Sequence, residues 1–159
     1  MVYVVICGVL LGIFILKLKD KLNERSYRNI KKRKSILVDI YDDLIQMFYF
    51  QKPGKFIGPL ESLNNLNILN NLVMVEDNES YTINKKVIHL CTKNPKNGHY
   101  YDKNTLMFVV LHELAHVLCN DVGHTETFSV INQSLLDHAV KCGFYDPSKP
   151  FVKNYCSLN

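Results

Sequence analysis

The sequence predicts an α+β domain in which a small antiparallel sheet packs on one apolar helix, with an N-terminal transmembrane helix ahead of it. Three observations carry that prediction. The first 16 residues contain no charged side chain. Two short runs of strand character, residues 81–83 and 87–91, are joined by a turn around Asn84. A third run, apolar nearly all round, begins at Leu106 and continues through Leu114, Ala115, Val117 and Leu118. A helix that is apolar on every side is a buried one. The chain's 159 residues leave room for a single domain, residues 35–159, behind the N-terminal segment.

The N-terminal element is expected to be a retained anchor over residues 1–18. Eleven of its first 16 residues are Val, Leu, Ile or Phe. As a helix those 16 residues extend about 24 Å at ~1.5 Å per residue, slightly short of a ~30 Å hydrocarbon core. Leu18 lengthens the span, and the long stems of Lys17 and Lys19 let their charges reach the headgroups. A cleaved signal peptide wants a basic start and a small-residue cleavage site, and neither is present. Next comes a basic segment, residues 19–34. From Lys17 to Lys34 nine Lys and Arg face only Asp20 and Glu24, a net +7 in a chain of net +4, so the remainder is mildly acidic. Positive flanks stay on the cytoplasmic side, which predicts a single-pass membrane protein with a lumenal or external N-terminus and a cytoplasmic domain. The same charges favour anionic headgroups. They also suit a nucleic-acid patch, but the adjacent anchor makes the membrane the simpler partner, and the domain itself gives no sign of nucleic-acid binding.

Within the domain, Ile36, Ile40, Leu44 and Phe48 recur at helical spacing and predict a helix near residues 34–50. Lys52-Pro53-Gly54 and Gly58-Pro59 mark a loop. Leucines at 60, 63, 66, 69 and 72 suggest a short helix, and the strand pair follows. Residues 93–102, with Pro95 and Gly98, form a loop into the apolar helix. Phe128, Ile131, Leu135 and Val140 predict a second helix that stops at Gly143, after which a tail containing Pro147 and Pro150 wraps over the domain. Five scattered cysteines, without a CxxC pair, are too few for a disulfide framework and read as free thiols.

The apolar helix carries the chemistry. It contains His112-Glu113-Leu114-Ala115-His116, and a four-residue spacing stacks the two histidines on one helical face. Such a pair binds one Zn²⁺ through imidazole nitrogens, with the intervening glutamate placed to reach a metal-bound water. Two histidines and a glutamate buried together without a partner would be costly, and a metal accounts for all three. A catalytic zinc keeps three protein ligands. His124 is the favoured third, because the turn through Asn120, Asp121 and Gly123 can bring it back towards the pair. Glu126, Asp137 and His138 compete for that role. Asp121 reads either as the group that orients a ligand histidine or as an ordinary turn residue. Thr125 is a good N-cap for the second helix.

These residues resemble a known family. Leu111 to His116, then Gly123-His124-Thr125 and Phe128, are similar to the active site of WLM and SprT-like zinc metallopeptidases, and to small metallopeptidase-like proteins of large DNA viruses. The resemblance covers the last third to half of the chain. It implies a zincin-like domain, with His112, His116 and His124 as zinc ligands, Glu113 as catalytic base, and Phe128 packed beneath the site. The step of eight positions from His116 to His124 exceeds the WLM spacing, which leaves the subfamily open. By analogy to that family an extended peptide or protein substrate would lie along a strand edge, for which residues 86–92 are the candidate. His99, Tyr100, Tyr101 and Tyr155 are candidate donors to a developing oxyanion. The expected function is a membrane-anchored zinc metallopeptidase. The alternative is a non-catalytic, zinc-stabilised structural or binding protein of a membrane or virion, and a composition rich in Asn, Lys, Ile and Tyr is compatible with a viral source. An intact Glu113 argues for the peptidase, since a purely structural site needs no base.

Overall fold

The computed structural model describes residues 35–49, 56–65 and 67–157. Helix α1 spans Ile36–Tyr49, and its Ile40, Leu44, Met47 and Phe48 form the buried stripe that their spacing predicts. A 3₁₀ helix, Gly58–Asn64, and a single-turn helix α2, Asn67–Asn70, replace the one short helix expected there. Asn65 causes the break. Its backbone is extended, and its side-chain oxygen accepts the Asn67 N–H at 3.2 Å, a local bond that competes with helix continuation.

Three strands follow: β1 Val73–Glu76, β2 Tyr81–Ile83 and β3 Val87–Leu90. Their order is β1-β3-β2, with β2 antiparallel and β1 parallel to β3, so the sheet is mixed rather than antiparallel. The β2–β3 turn holds Asn84 and Lys85 at φ 50° and 54°, the left-handed pair that a tight hairpin requires. β3 lies at the centre of the sheet and buries Ile88 and Leu90 completely.

Helix α3, Lys103–Leu118, is the core of the molecule. Leu106, Met107, Val110, Leu111, Leu114 and Ala115 are wholly buried, because the helix is covered by β2 and β3, by α1 and by helix α4, Glu126–Lys141. Asp102 starts α3 by accepting the Thr105 N–H at 3.0 Å, and Thr125 starts α4 by accepting the Phe128 N–H at 3.3 Å. Beyond α4 the chain reverses at Gly143, whose φ of 76° a glycine adopts without strain.

Two further expectations need correction. The N-terminal transmembrane helix, and the single-pass membrane localisation with a cytoplasmic domain built on it, are not supported: among the described residues no helix is long and apolar enough to cross a membrane. The longest, α3 and α4, have 16 residues each, about 24 Å against a ~30 Å hydrocarbon core, and the apolar surface of α3 is already covered by protein. Residues 1–18 and 19–34, on which the anchor and the basic segment were placed, lie outside the described residues, as does the Lys52-Pro53-Gly54 loop. The second correction concerns the thiols. Cys91, just after β3, is disulfide-bonded to Cys156 in the C-terminal tail, 65 positions away, with their Cα atoms 6.2 Å apart. The same crossing is held by the Tyr155 hydroxyl, which donates to the Cys91 carbonyl at 2.5 Å, and by the Cys156 N–H, which donates to the Tyr101 hydroxyl at 2.9 Å.

Candidate metal centre

One turn of α3 separates His112 from His116, and their ring centroids lie 5.2 Å apart. The chain leaves α3 at Cys119 and turns at Gly123, whose φ of 82° suits glycine. That turn carries His124 back over the helix, to ring-centroid distances of 4.9 Å from both His112 and His116. Nε2 of His124 and Nε2 of His112 are 3.0 Å apart. One nitrogen from each of the three rings lies within 4.8 Å of the other two, so the three can hold a single metal ion. Phe128, almost fully buried at the start of α4, floors the cluster with its ring centroid 5.0, 4.3 and 4.8 Å from those of His112, His116 and His124.

The competing third ligands are elsewhere. Asp137 accepts from the Gln133 side chain at 2.8 Å, and Glu126 is exposed outside the cluster. His138 is partly buried and stacks on Phe48 with centroids 5.4 Å apart. Asp121 does not orient a ligand ring; its carboxylate accepts from the Thr125 hydroxyl at 2.8 Å and so braces the turn. Cys119 is buried and stands outside the histidine cluster. His89 belongs to the outer face of the sheet, where it contacts Asp77 at 2.8 Å and stacks on Tyr81.

Burial, together with the neighbouring His116 and His124, pushes the His112 imidazole down to about 4. His116 is also lowered, by burial first and then by His124 and Lys85. Both rings are therefore neutral near pH 7, the state in which an imidazole nitrogen can donate to a cation. Glu113 is 5% exposed. Burial pushes its carboxyl up, against the hydrogen bond from Thr82 and the attraction of His124. The Thr82 hydroxyl donates to Glu113 Oε2 at 2.8 Å and also lies 3.1 Å from the Glu113 carbonyl oxygen.

Two open cavities meet at this centre. One, of about 510 Å³, lies between the β2–β3 hairpin and the 121–124 turn. The other, of about 450 Å³, is walled by Phe108, Val109, Tyr155 and Cys156. They share Ser80, His112 and Glu113, so a groove passes the centre on both sides. The strand that borders it is β2, which pairs only with β3; residues 86–92 do not supply the edge, because β3 is paired on both sides. Of the four proposed oxyanion donors only Tyr155 borders the groove, and its hydroxyl proton is engaged by the Cys91 carbonyl. Tyr101 is buried, Tyr100 lies under the Lys93 ammonium, and His99 is exposed on the 93–102 loop.

Sequence reasoning missed two groove residues, Thr82 and Lys85. The Lys85 ammonium donates to the Cys119 carbonyl and reaches the Asp121 carbonyl at 3.4 Å, tying the hairpin to the turn that presents His124. No local pattern marks a lysine for such a bond. For Thr82 the pattern misleads, since a polar side chain between two apolar ones in a strand reads as facing solvent.

Comparison with known proteins finds viral relatives. The chain is 57% identical to the uncharacterized protein 042R of Invertebrate iridescent virus 3, over 99% of this chain and 100% of that protein. It is 56% identical over 104 residues to uncharacterized protein 136R of Invertebrate iridescent virus 6, covering 64% of this chain and 58% of that one. It is 34% identical over 142 residues to uncharacterized protein R325 of Acanthamoeba polyphaga mimivirus, covering 81% of this chain and 66% of that one. No protein-family model matches the chain, and no solved structure matches it.

Proposed function

We infer that this chain, which belongs to the viral protein family of 042R of Invertebrate iridescent virus 3, is a zinc-dependent peptidase. The observation that carries the reading is the donor set. Three imidazole nitrogens converge beside an open groove, and among the described residues no fourth side chain joins them. A structural zinc site closes with four protein ligands, whereas three leave a position for chemistry. Three imidazole nitrogens with no carboxylate fit zinc better than the harder calcium or magnesium. The likeness of the 111–116 pentad, Gly123-His124 and Phe128 to WLM and SprT-like sites supports the same reading.

His112, His116 and His124 would hold the ion. When bound, Zn²⁺ supplies an acidified water and polarises a carbonyl. The chain's own residues supply the rest. The unpaired edge of β2 offers main-chain hydrogen bonds to an extended peptide, so affinity need not depend on substrate sequence. The groove continues past Glu113 on both sides, leaving room for substrate on either side of the bond to be cut, which favours internal cleavage. Glu113, made more basic by burial, takes a proton from the attacking water and returns it to the leaving amine.

The first test is metal content, by mass spectrometry, of the full-length protein and its His124→Ala variant. One zinc per chain is expected. Loss of an outer partner of a ligand already weakens metal affinity by roughly 10–100-fold, so loss of His124 itself should weaken retention by about a hundredfold or more. With zinc in place, Glu113→Gln should abolish cleavage of an unfolded protein substrate while zinc content and fold remain. Folded protein that takes up no zinc on reconstitution sinks the reading, and so does a Glu113→Gln variant that cleaves as well as the parent.

A further inference from the structure

We propose that Thr82 is the positioning residue for Glu113, fixing the orientation of the general base from the strand that borders the substrate groove; the proposal rests on the peptidase reading above. Glutamate has three side-chain torsions, and a base must be held close to its productive geometry to be effective. Thr82 supplies the restraint. Its hydroxyl is within hydrogen-bond distance of both the Glu113 carboxylate and the Glu113 carbonyl, at 2.8 and 3.1 Å. The one hydroxyl proton goes to the carboxylate at the shorter distance, with the carbonyl close enough to share it in a three-centre bond. Glu113 is almost completely buried as a residue, so this contact is little diluted by solvent. With one carboxylate oxygen occupied by Thr82, the other is left to accept the proton.

The strand explains why a threonine performs this task. Alternation along β2 puts Tyr81 and Ile83 on the outer face, where both are exposed, and turns Thr82 towards α3. Thr82 is the single residue of the three whose side chain reaches the helix face carrying Glu113. β2 is also the edge available to an extended peptide. Substrate docking and base orientation therefore act on one strand, and shortening a peptide along β2 should lower kcat as well as raise KM.

The test compares Thr82→Val, which keeps the shape and removes the hydroxyl, with Thr82→Ser, which keeps the hydroxyl. In metal-free, full-length protein at mildly alkaline pH, the antisymmetric carboxylate stretch of Glu113 is isolated as the infrared difference between parent and Glu113→Gln. It should shift in Thr82→Val and stay in place in Thr82→Ser. In zinc-loaded protein, Thr82→Val should lower kcat by roughly ten- to a hundredfold with little change in KM or zinc retention, and Thr82→Ser should recover most of the loss. An unmoved band in Thr82→Val, or equal losses of kcat in both variants, overturns the proposal. The two readings fail separately. Protein without zinc or turnover would sink the peptidase, while the infrared comparison still decides whether Thr82 holds Glu113.

Discussion

Phe128 shows how one side chain supports three others. Its ring lies within 5.0 Å, centroid to centroid, of all three histidine rings, so it fixes the floor on which they meet and joins α4 to the cluster. Phe128→Ala should cost about 3–5 kcal/mol of stability, the usual penalty for emptying a buried aromatic site, and should loosen metal retention without removing a ligand. Urea unfolding of the metal-free variant measures the first effect, and competition with a chelator measures the second. An unchanged metal affinity would reduce Phe128 to a core residue. At this scale the grouping of the three histidines was legible because the pentad's spacing and the following Gly-His encode their own geometry, whereas the place of Phe128 came from the family resemblance. Thr82 and Lys85 were not legible. Each acts across more than 30 positions of sequence, and each depends on where the hairpin is laid against α3.

Elements were legible where local signals agreed and illegible where partners decide. α3 announces itself by a surface that is apolar nearly all round, and its start is set by Asp102, whose carboxylate accepts the Thr105 N–H at 3.0 Å and the Thr105 hydroxyl at 2.6 Å. Burial raises the Asp102 carboxyl, but the hydrogen bonds from Thr105 and neighbouring backbone amides outweigh it and hold the group below its usual range. A depressed carboxyl contributes stability that is present above its unfolded value, ordinarily 3.8, and lost as pH falls through the lower folded value. Asp102→Ala should therefore destabilise the protein by about 1 kcal/mol near neutrality, with the deficit shrinking in acid below the ordinary carboxylate range. Denaturant midpoints at neutral pH and in acid check both parts; a deficit independent of pH would mean that the carboxylate charge contributes nothing. The strands were harder. β2 reads as Tyr-Thr-Ile, and hydrophobic alternation alone would bury Tyr81 and Ile83, yet the sheet turns the threonine inward to the glutamate and leaves both apolar residues exposed. β1 has three of its four residues exposed and pairs in parallel with a strand that follows it after another strand, an arrangement that local pattern does not specify.

At the scale of the whole molecule, the fastening of the tail is what local reading could not supply. Nothing in the spacing of five scattered cysteines selects Cys91 and Cys156; the pair exists because residues 151–157 cross the end of β3 and bring the tail beside Tyr101. That crossing also builds one wall of the groove from Tyr155 and Cys156, while the three candidate ligands lie on α3 and the turn after it, and no tail residue is among them. The two functions of the crossing can therefore be separated. A cross-link that closes a loop of this length restricts the unfolded chain by up to about 4 kcal/mol on loop-entropy grounds, so Cys156→Ser, or reduction by a dithiol, should lower stability by about 2–4 kcal/mol. Hydrogen exchange should show protection lost over 151–157, and zinc content should be unchanged. Zinc lost together with tail protection would mean that the wall and the metal centre fold as one unit. An unchanged denaturation midpoint after thiol treatment would mean that the disulfide adds nothing to stability, leaving the Tyr155 and Cys156 hydrogen bonds to hold the tail alone.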